Sequence, residues 1–240
     1  MVQLDFIYVI NVKKFTQRRV FMEKQLAKAG LQAEFILDWD ADELTEDIIG
    51  RYFAGGNKLS AAQKSCSLKH ICALQKVAEN NGKFNLILED DAVFLKAFNE
   101  GIQRALSESE RFTENKVIYI GSGSGGNFRI PKSQRKPGQH LYLGERGRYA
   151  DSYIIDSATA KKRLDWIMQN KVSIPIDLQF DKIDRLLDIK IVWLENPVVE
   201  QGSKTGRYDT TIEAPPSAWL RRLFFNIKRV KRKYIYQLWR

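Results

Sequence analysis

"LDFIYVINV", residues 4–12, is a short, nearly unbroken apolar run that reads as a fully buried strand. Working outward, "QRRVFMEKQLAKAG" (17–30) follows as a helix, with Val20, Met22 and Leu26 on its apolar side and Gly30 as its stop. "AEFILDWDA" (33–41) then reads as a second strand ending in acids. A strand, a helix and a strand within about forty residues make a β-α-β opening, which predicts an α/β protein built on a parallel sheet.

The rest of the chain continues the alternation. "SAAQKSCSLKHICALQKVAEN" (60–80) is a helix with Ser60 as N-cap and Asn80-Asn81-Gly82 as its stop. "FNLILED" is a strand, and "DAVFLKAFNEGIQRALSES" is a short extension followed by a helix. "KVIYIG" (116–121) and "YADSYIID" (149–156) read as strands. "SATAKKRLDWIMQN" is a helix capped by Ser157, "SIPIDLQFDKIDRLLD" (173–188) turns helical after its proline, and "IKIVWLENP" (189–197) is the last strand. No internal repeat or low-complexity segment interrupts this order.

Composition narrows the class. The 240 residues are 44% hydrophobic and 28% charged, as in ordinary globular proteins, and no apolar run is long enough for a transmembrane helix. The opening residues read as a strand and not as a secretory signal. The two cysteines, Cys66 and Cys72, sit in one helix and suit neither a disulfide framework nor a four-ligand zinc site, which points to a reducing cytoplasm. The net charge of +10 is concentrated at the end. Residues 214–240 hold eight Lys/Arg and no Asp/Glu, leaving 31 basic against 29 acidic residues elsewhere. The expected organisation is a body over residues 1–213 and a basic tail over 214–240. On a helical wheel the tail gathers Leu220, Leu223, Phe224, Ile227, Val230, Tyr234 and Leu238 on one face, with all basic residues but Lys231 outside it. That pattern predicts a basic amphipathic helix over 219–240 on an anionic membrane surface. Its bland counterpart is a helix docked on its own domain.

Chemistry concentrates at "FNLILEDDAVFL", residues 84–95, where a buried strand ends in Glu89, Asp90 and Asp91. Adjacent carboxylates at a strand end repel one another and are costly to desolvate without a cation. A hard divalent ion such as Mg²⁺ or Mn²⁺ resolves both problems, and Glu89 and Asp91, two apart, would share it. An acidic turn or helix cap is the alternative. "GSGSGG" (121–126) has the letters of a dinucleotide fingerprint, but the proline-containing, basic segment after it reads as a loop and not as the required helix. Cys66 and His70 are one helical turn apart, yet Cys72 points elsewhere and no second ligand pair exists, so no transition-metal site is expected. Asp177 stands at a helix start, where an acid also favours the helix dipole.

Several segments together resemble the bacterial glycosyltransferase family 25 enzymes of lipopolysaccharide or lipooligosaccharide biosynthesis. They are "YVINVKKFTQRR", "SAAQKSCSLKH", "LILEDDAVFL", "ADSYIIDSATAKKRL", "PIDLQF" and "ENPVVEQGS", in the family's order over roughly residues 4–205. Two departures stand out: Lys69 before His70, where Ser is usual, and Val12 in place of Leu. The resemblance implies a GT-A-like, Rossmann-type mixed sheet flanked by helices. It implies an inverting, metal-dependent transfer of galactose or glucose from a nucleotide sugar of the UDP-hexose type to a lipid-linked glycan. By the same carry-over, Glu89, Asp90 and Asp91 match the motif for metal (Mn²⁺ or Mg²⁺) and donor diphosphate, with Asp91 and Glu89 as metal ligands. Asn11 and Arg19 fall near the nucleotide, His70 is the helix-motif histidine, and Asp177 is the candidate base. Asp151, at the head of "DSYIID", is the alternative base. Such an enzyme is expected to be peripheral on the cytoplasmic face of the inner membrane, with no nucleic-acid partner. The rivals are a membrane-surface or nucleic-acid-binding module carried by the tail, and a family member that has lost transfer activity.

Overall fold

A computed structural model describes residues 3–113, 115–123 and 129–203, with Leu223, Asn226 and Ile227 beyond them. Most of the predicted amphipathic tail and part of the 122–140 loop lie outside the described residues. Among the described residues nine strands and six α-helices follow in the order β1 (Phe6–Ile10), α1 (Thr16–Ala29), β2 (Glu34–Ile36), α2 (Glu46–Tyr52), α3 (Ala61–Asn80), β3 (Asn85–Glu89), β4 (Ala92–Phe94), α4 (Phe98–Glu108), β5 (Lys116–Tyr119), β6 (Leu141–Leu143), β7 (Ser152–Ile155), α5 (Ser157–Asn170), α6 (Ile176–Leu186), β8 (Lys190–Leu194) and β9 (Val199–Gln201).

Seven strands form one sheet in the order β2-β1-β3-β7-β5-β8-β6, and β4 pairs with β9 in a separate two-stranded ribbon. The β-α-β opening is parallel as predicted: β1 runs parallel to both β2 and β3. The sheet as a whole is mixed, because β7 inserts antiparallel between β3 and β5, and β6 runs antiparallel to β8. Strand direction leaves no trace in an apolar run, so hydrophobic pattern alone could not show this. The insertion matters for function. An antiparallel β7 brings its first residue, Ser152, and the preceding Asp151 to the edge where β3 ends, with Leu88 opposite Ser152 and the Glu89 N–H donating to the Asp151 carbonyl.

Side chains alternate across the sheet with the period of two that strands impose. Ile7, Val9, Leu86, Leu88 and Ile154 pack on one face with Met22 and Leu26 of α1 and Phe98, Ile102 and Leu106 of α4. Tyr8, Ile10, Ile87, Tyr119 and Tyr153 pack on the other with α3, α5 and α6. Burying each large aliphatic side chain contributes about 1.5–3 kcal/mol. These stripes, more than helix propensity, hold the helices on the sheet. Val20 does not join them: at 47% exposed it sits on the outside of α1.

Helix ends follow local chemistry. Ser60 and Gln63 form a reciprocal capping box at the start of α3, and Asn81 closes that helix in the left-handed conformation. Gly30 does the same for α1. The N-cap of α5 is Asp156 and not Ser157, because the Asp156 carboxylate accepts from the Thr159 N–H while the Ser157 hydroxyl donates to the Gly82 carbonyl. Nor is β8 the last strand. β9 follows and lays Gln201 beside Ala92.

Two buried charges tie the layers together. Lys69, wholly buried, donates to the Leu37 and Asp38 carbonyls at 2.9 and 2.7 Å and pairs with Asp40 at 2.8 Å. It anchors α3 to the loop after β2. Arg163 of α5 grips Asp184 of α6 with two bonds of 2.8 and 2.6 Å, and its guanidinium lies 4.2 Å from the centre of the Phe180 ring. Neither partner of that pair touches solvent.

Candidate active site

The site forms where β1, β3 and β7 expose their ends at one edge of the sheet. The last residue of β3 is Glu89, and Asp90 and Asp91 form the turn into β4. Asn11 follows the end of β1 directly, and its N–H donates to the Ile36 carbonyl at the end of β2. Edges of this kind gather ligands because loops can project functional groups there while the sheet holds them rigid.

The three consecutive acids have separate surroundings. Asp90 is saturated: Oδ2 accepts from Asn11 Nδ2 at 2.8 Å and from the Val12 N–H at 3.4 Å, and Oδ1 accepts from Arg18 at 2.9 Å. Asp91 is almost fully buried. Its Oδ2 accepts from the Ser203 N–H and its carbonyl accepts from the Gly202 N–H, but Oδ1 is buried without a hydrogen-bond partner among the described residues. Glu89 is half-buried and turns toward α3, where His70 Nε2 lies 3.4 Å from Oε1.

Burial, then the charges of Asp90 and Asp177, pushes the Glu89 carboxyl up to about 7. Burial, then Glu89, pushes Asp91 up to about 6. Asp90 is also raised by burial, but Arg18 and Asn11 pull it back. Coupled like charges, one of them with a buried oxygen left unpartnered among the described residues, suit a cation, and an all-oxygen donor pair suits a hard one, so Glu89 and Asp91 fit Mn²⁺ or Mg²⁺.

The other predicted residues divide into those the fold brings in and those it does not. Asp151 sits beside the cluster, 1% exposed, with Oδ1 accepting from the Ser152 hydroxyl and Oδ2 unpartnered among the described residues. Burial, then Glu89, raises it well above the usual carboxylate range. Asp177 opens α6 and is half-buried, near enough to Cys66, His70 and Glu89 to couple electrostatically with each. Burial raises its carboxyl, while backbone N–H groups of its own helical turn pull it back. The other acids of α6 are engaged elsewhere: Asp181 accepts from the Gly147 N–H and Asp184 pairs with Arg163. His70 is brought in, but under the site and not into it. It is wholly buried, with Nδ1 3.3 Å from the Tyr153 hydroxyl and Phe180 edge-on to its ring. Burial, then Arg163, lowers it to about 3, so it is a neutral ring.

Arg19 is not at the site. It points along the outside of α1 to Glu23 and lies over the Phe35 ring, whereas its neighbour Arg18 pairs with Asp90. A signal was present, since Arg18 lies four and eight residues before the buried Met22 and Leu26, on the same helix stripe. Gln201 and Ser203 were missed because only the β4–β9 pairing carries them to Glu89 and Asp91. Cys66 and His70 have no second Cys/His pair beside them among the described residues, but Glu89, from a different element, lies 4.0 Å from Cys66 Sγ. "GSGSGG" opens no helix among the described residues. A Cβ at its first glycine, Gly121, would come within 2.6 Å of Asp151 Oδ1 and 2.5 Å of Ser152 Oγ. This glycine makes room for Asp151.

The chain is similar to known proteins. The model of glycosyltransferase family 25 (LPS biosynthesis protein) matches residues 4–180. A glycosyltransferase 25 family member of Aedes aegypti is 26% identical over 187 residues, covering 72% of this chain and 30% of that protein. One from Drosophila pseudoobscura pseudoobscura is 30% identical over 128 residues, covering 49% of this chain and 20% of that protein. The chain thus spans less than a third of the length of these two relatives. Among solved structures, the inositol-1-phosphate CTP transferase from T. maritima aligns at a TM-score of 0.37 and 10% identity, over 94% of this chain and 76% of that one, too loosely to bear on the site.

Proposed function

Because the chain belongs to glycosyltransferase family 25, we propose that it transfers a hexose, galactose or glucose, from a nucleotide sugar to a lipopolysaccharide or lipooligosaccharide glycan, inverting the anomeric carbon. The observation that carries this reading is the buried, unpartnered Asp91 Oδ1 beside Glu89, at the end of β3. Glu89 and Asp91 would hold Mn²⁺ or Mg²⁺. When bound, such an ion supplies positive charge against the donor's diphosphate.

The chain's own residues then have distinct tasks. Asp90, fixed by Asn11 and Arg18, braces the turn that presents Glu89 and Asp91. His70, neutral and held by Tyr153, supports Glu89 from below. Asp177 takes the proton of the acceptor hydroxyl. The hydroxyl oxygen bonds to the anomeric carbon as the bond from that carbon to the diphosphate oxygen breaks, and the nucleoside diphosphate leaves with the bonding pair. A carboxyl raised by burial at a half-open position suits a general base. Asp151 is the weaker candidate, since it is wholly buried, with its carboxyl raised by burial and by Glu89, and so offers less access to an acceptor hydroxyl than the half-buried Asp177.

No described helix is long and apolar enough to cross a membrane. The basic pattern of residues 219–240 supports attachment to an anionic membrane surface on the cytoplasmic side, near a lipid-linked acceptor. The testing experiment is a donor screen with Mn²⁺, reading nucleoside diphosphate release from a panel of nucleotide sugars. Release from at least one UDP-hexose is expected, with Asp177→Asn lowering kcat about 10²- to 10⁴-fold. No release and no binding of any donor would overturn the reading.

A further inference from the structure

Beneath the acidic turn lies a second donor set of different chemistry. α3 presents Cys66 and His70 one turn apart, and β3 ends by placing Glu89 against both. Glu89 Oε1 lies 3.4 Å from His70 Nε2 and 4.0 Å from Cys66 Sγ, and the three donor atoms lie within 4.8 Å of one another. As hydrogen bonds these contacts are poor, since a good N–H···O bond is near 2.9 Å. Tetrahedral zinc, with bonds of about 2.0 Å to nitrogen and oxygen and about 2.3 Å to sulfur, sets N···O near 3.3 Å and S···O near 3.5 Å. The His70–Glu89 separation matches the first, and the Cys66–Glu89 separation exceeds the second by about half an ångström, so binding draws the thiol inward.

The surroundings support a ligand role. Metal-bound imidazoles are oriented by a partner on their other nitrogen, and His70 Nδ1 has the Tyr153 hydroxyl at 3.3 Å. Cys66 and Glu89 are only half-buried, so an ion has a way in. A thiol, an imidazole and one carboxylate favour a borderline ion over Mg²⁺. We propose that Cys66, His70 and Glu89 form a binding site for Zn²⁺, or an ion of like softness, with the Asp177 carboxyl nearby. Glu89 is common to this site and to the hard-metal site. That Zn²⁺ displaces Mn²⁺ or Mg²⁺ there rests on the proposed function; the zinc site itself does not.

The test is titration of the full chain, without nucleotide, by Zn²⁺ against a chromophoric chelator and by Co²⁺ followed spectroscopically. One Zn²⁺ per chain is expected, with a thiolate-to-cobalt charge-transfer band. Cys66→Ser removes the band and weakens Zn²⁺ at least about tenfold, while Cys72→Ser changes neither. Glu89→Gln, which leaves no buried charge behind, weakens Zn²⁺ and keeps the band. Failure of the folded wild-type chain to bind one Zn²⁺, or a band that survives Cys66→Ser, would overturn the site. Failed zinc binding with intact donor turnover overturns this site alone; zinc binding without donor turnover overturns only the transferase reading.

Discussion

Glu89→Gln should make the metal-free protein more stable, and only at neutral and alkaline pH. Burial and the neighbouring acids raise the Glu89 carboxyl from its ordinary 4.5 to about 7. At about 1.4 kcal/mol per pH unit, ionising it in the folded chain costs roughly 3 kcal/mol more than in the unfolded one. The sign follows from proton binding. Between pH 4.5 and about 7 the folded state holds a proton that the unfolded state has released, so stability falls as pH rises through that window and levels off above it. A glutamine removes the ionisation and keeps the shape. Re-pairing its amide beside His70 costs about 1 kcal/mol of that. The expected net gain is therefore about 2 kcal/mol at pH 8 and about zero at pH 5. For a chain of this size, 2 kcal/mol is about 4–8 °C in Tm. The assay is thermal unfolding followed by circular dichroism in EDTA, wild type against Glu89→Gln, at both pH values. A variant no more stable than wild type at pH 8, or equally stabilised at both, would refute the electrostatic reasoning. Asp91, raised to about 6 by burial and by Glu89, adds the same sign over a window from 3.8 to about 6.

Other perturbations separate the supporting contacts. Mn²⁺ should raise the wild-type Tm more at pH 8 than at pH 5, and raise that of Glu89→Gln less, because protons and the ion compete for the same oxygens. Asp184→Ala strands a wholly buried guanidinium and should lose about 3–5 kcal/mol in urea unfolding, whereas Arg163→Met with Asp184→Leu recovers most of it. Arg18→Ala leaves the buried Asp90 without its cation and should lose about 1.5–3 kcal/mol, while Arg19→Ala, at an exposed pair, stays within about 0.5 kcal/mol.

Much of the fold was legible because it depends on local chemistry. The apolar runs at 6–10 and 85–89, the Ser60 cap and the Asn81 stop all follow from periodicity and capping, and all occur. Strand direction was not legible, since Ser152–Ile155 looks the same whichever way it runs, and this direction brings Asp151 to the site. Short elements such as β6 and α2 carry too little pattern to declare themselves. The acidic turn stood out in the sequence, but its division did not. Asp90 is saturated by Asn11 and Arg18, and Asp91 keeps an open oxygen, only because β1, α1 and β9 converge on that turn. Arg18 and Arg19 are neighbours in sequence but about 100° apart around α1, and the buried Met22 and Leu26 decide which one faces the sheet edge. The departure at Lys69 also has a structural account, as its charge is satisfied by three oxygens of the loop after β2.

The central claim is that the end of β3 holds a divalent cation that recruits a nucleotide sugar, with Asp91 as the indispensable ligand. Calorimetric titration of the full chain with UDP, with Mn²⁺ and with EDTA, tests it most directly, comparing wild type with an Asp91→Ala variant shown to be folded by circular dichroism. The account predicts Mn²⁺-dependent binding in wild type that EDTA abolishes and Asp91→Ala lacks. Equal binding by the variant, or binding by wild type that is indifferent to Mn²⁺, would contradict it.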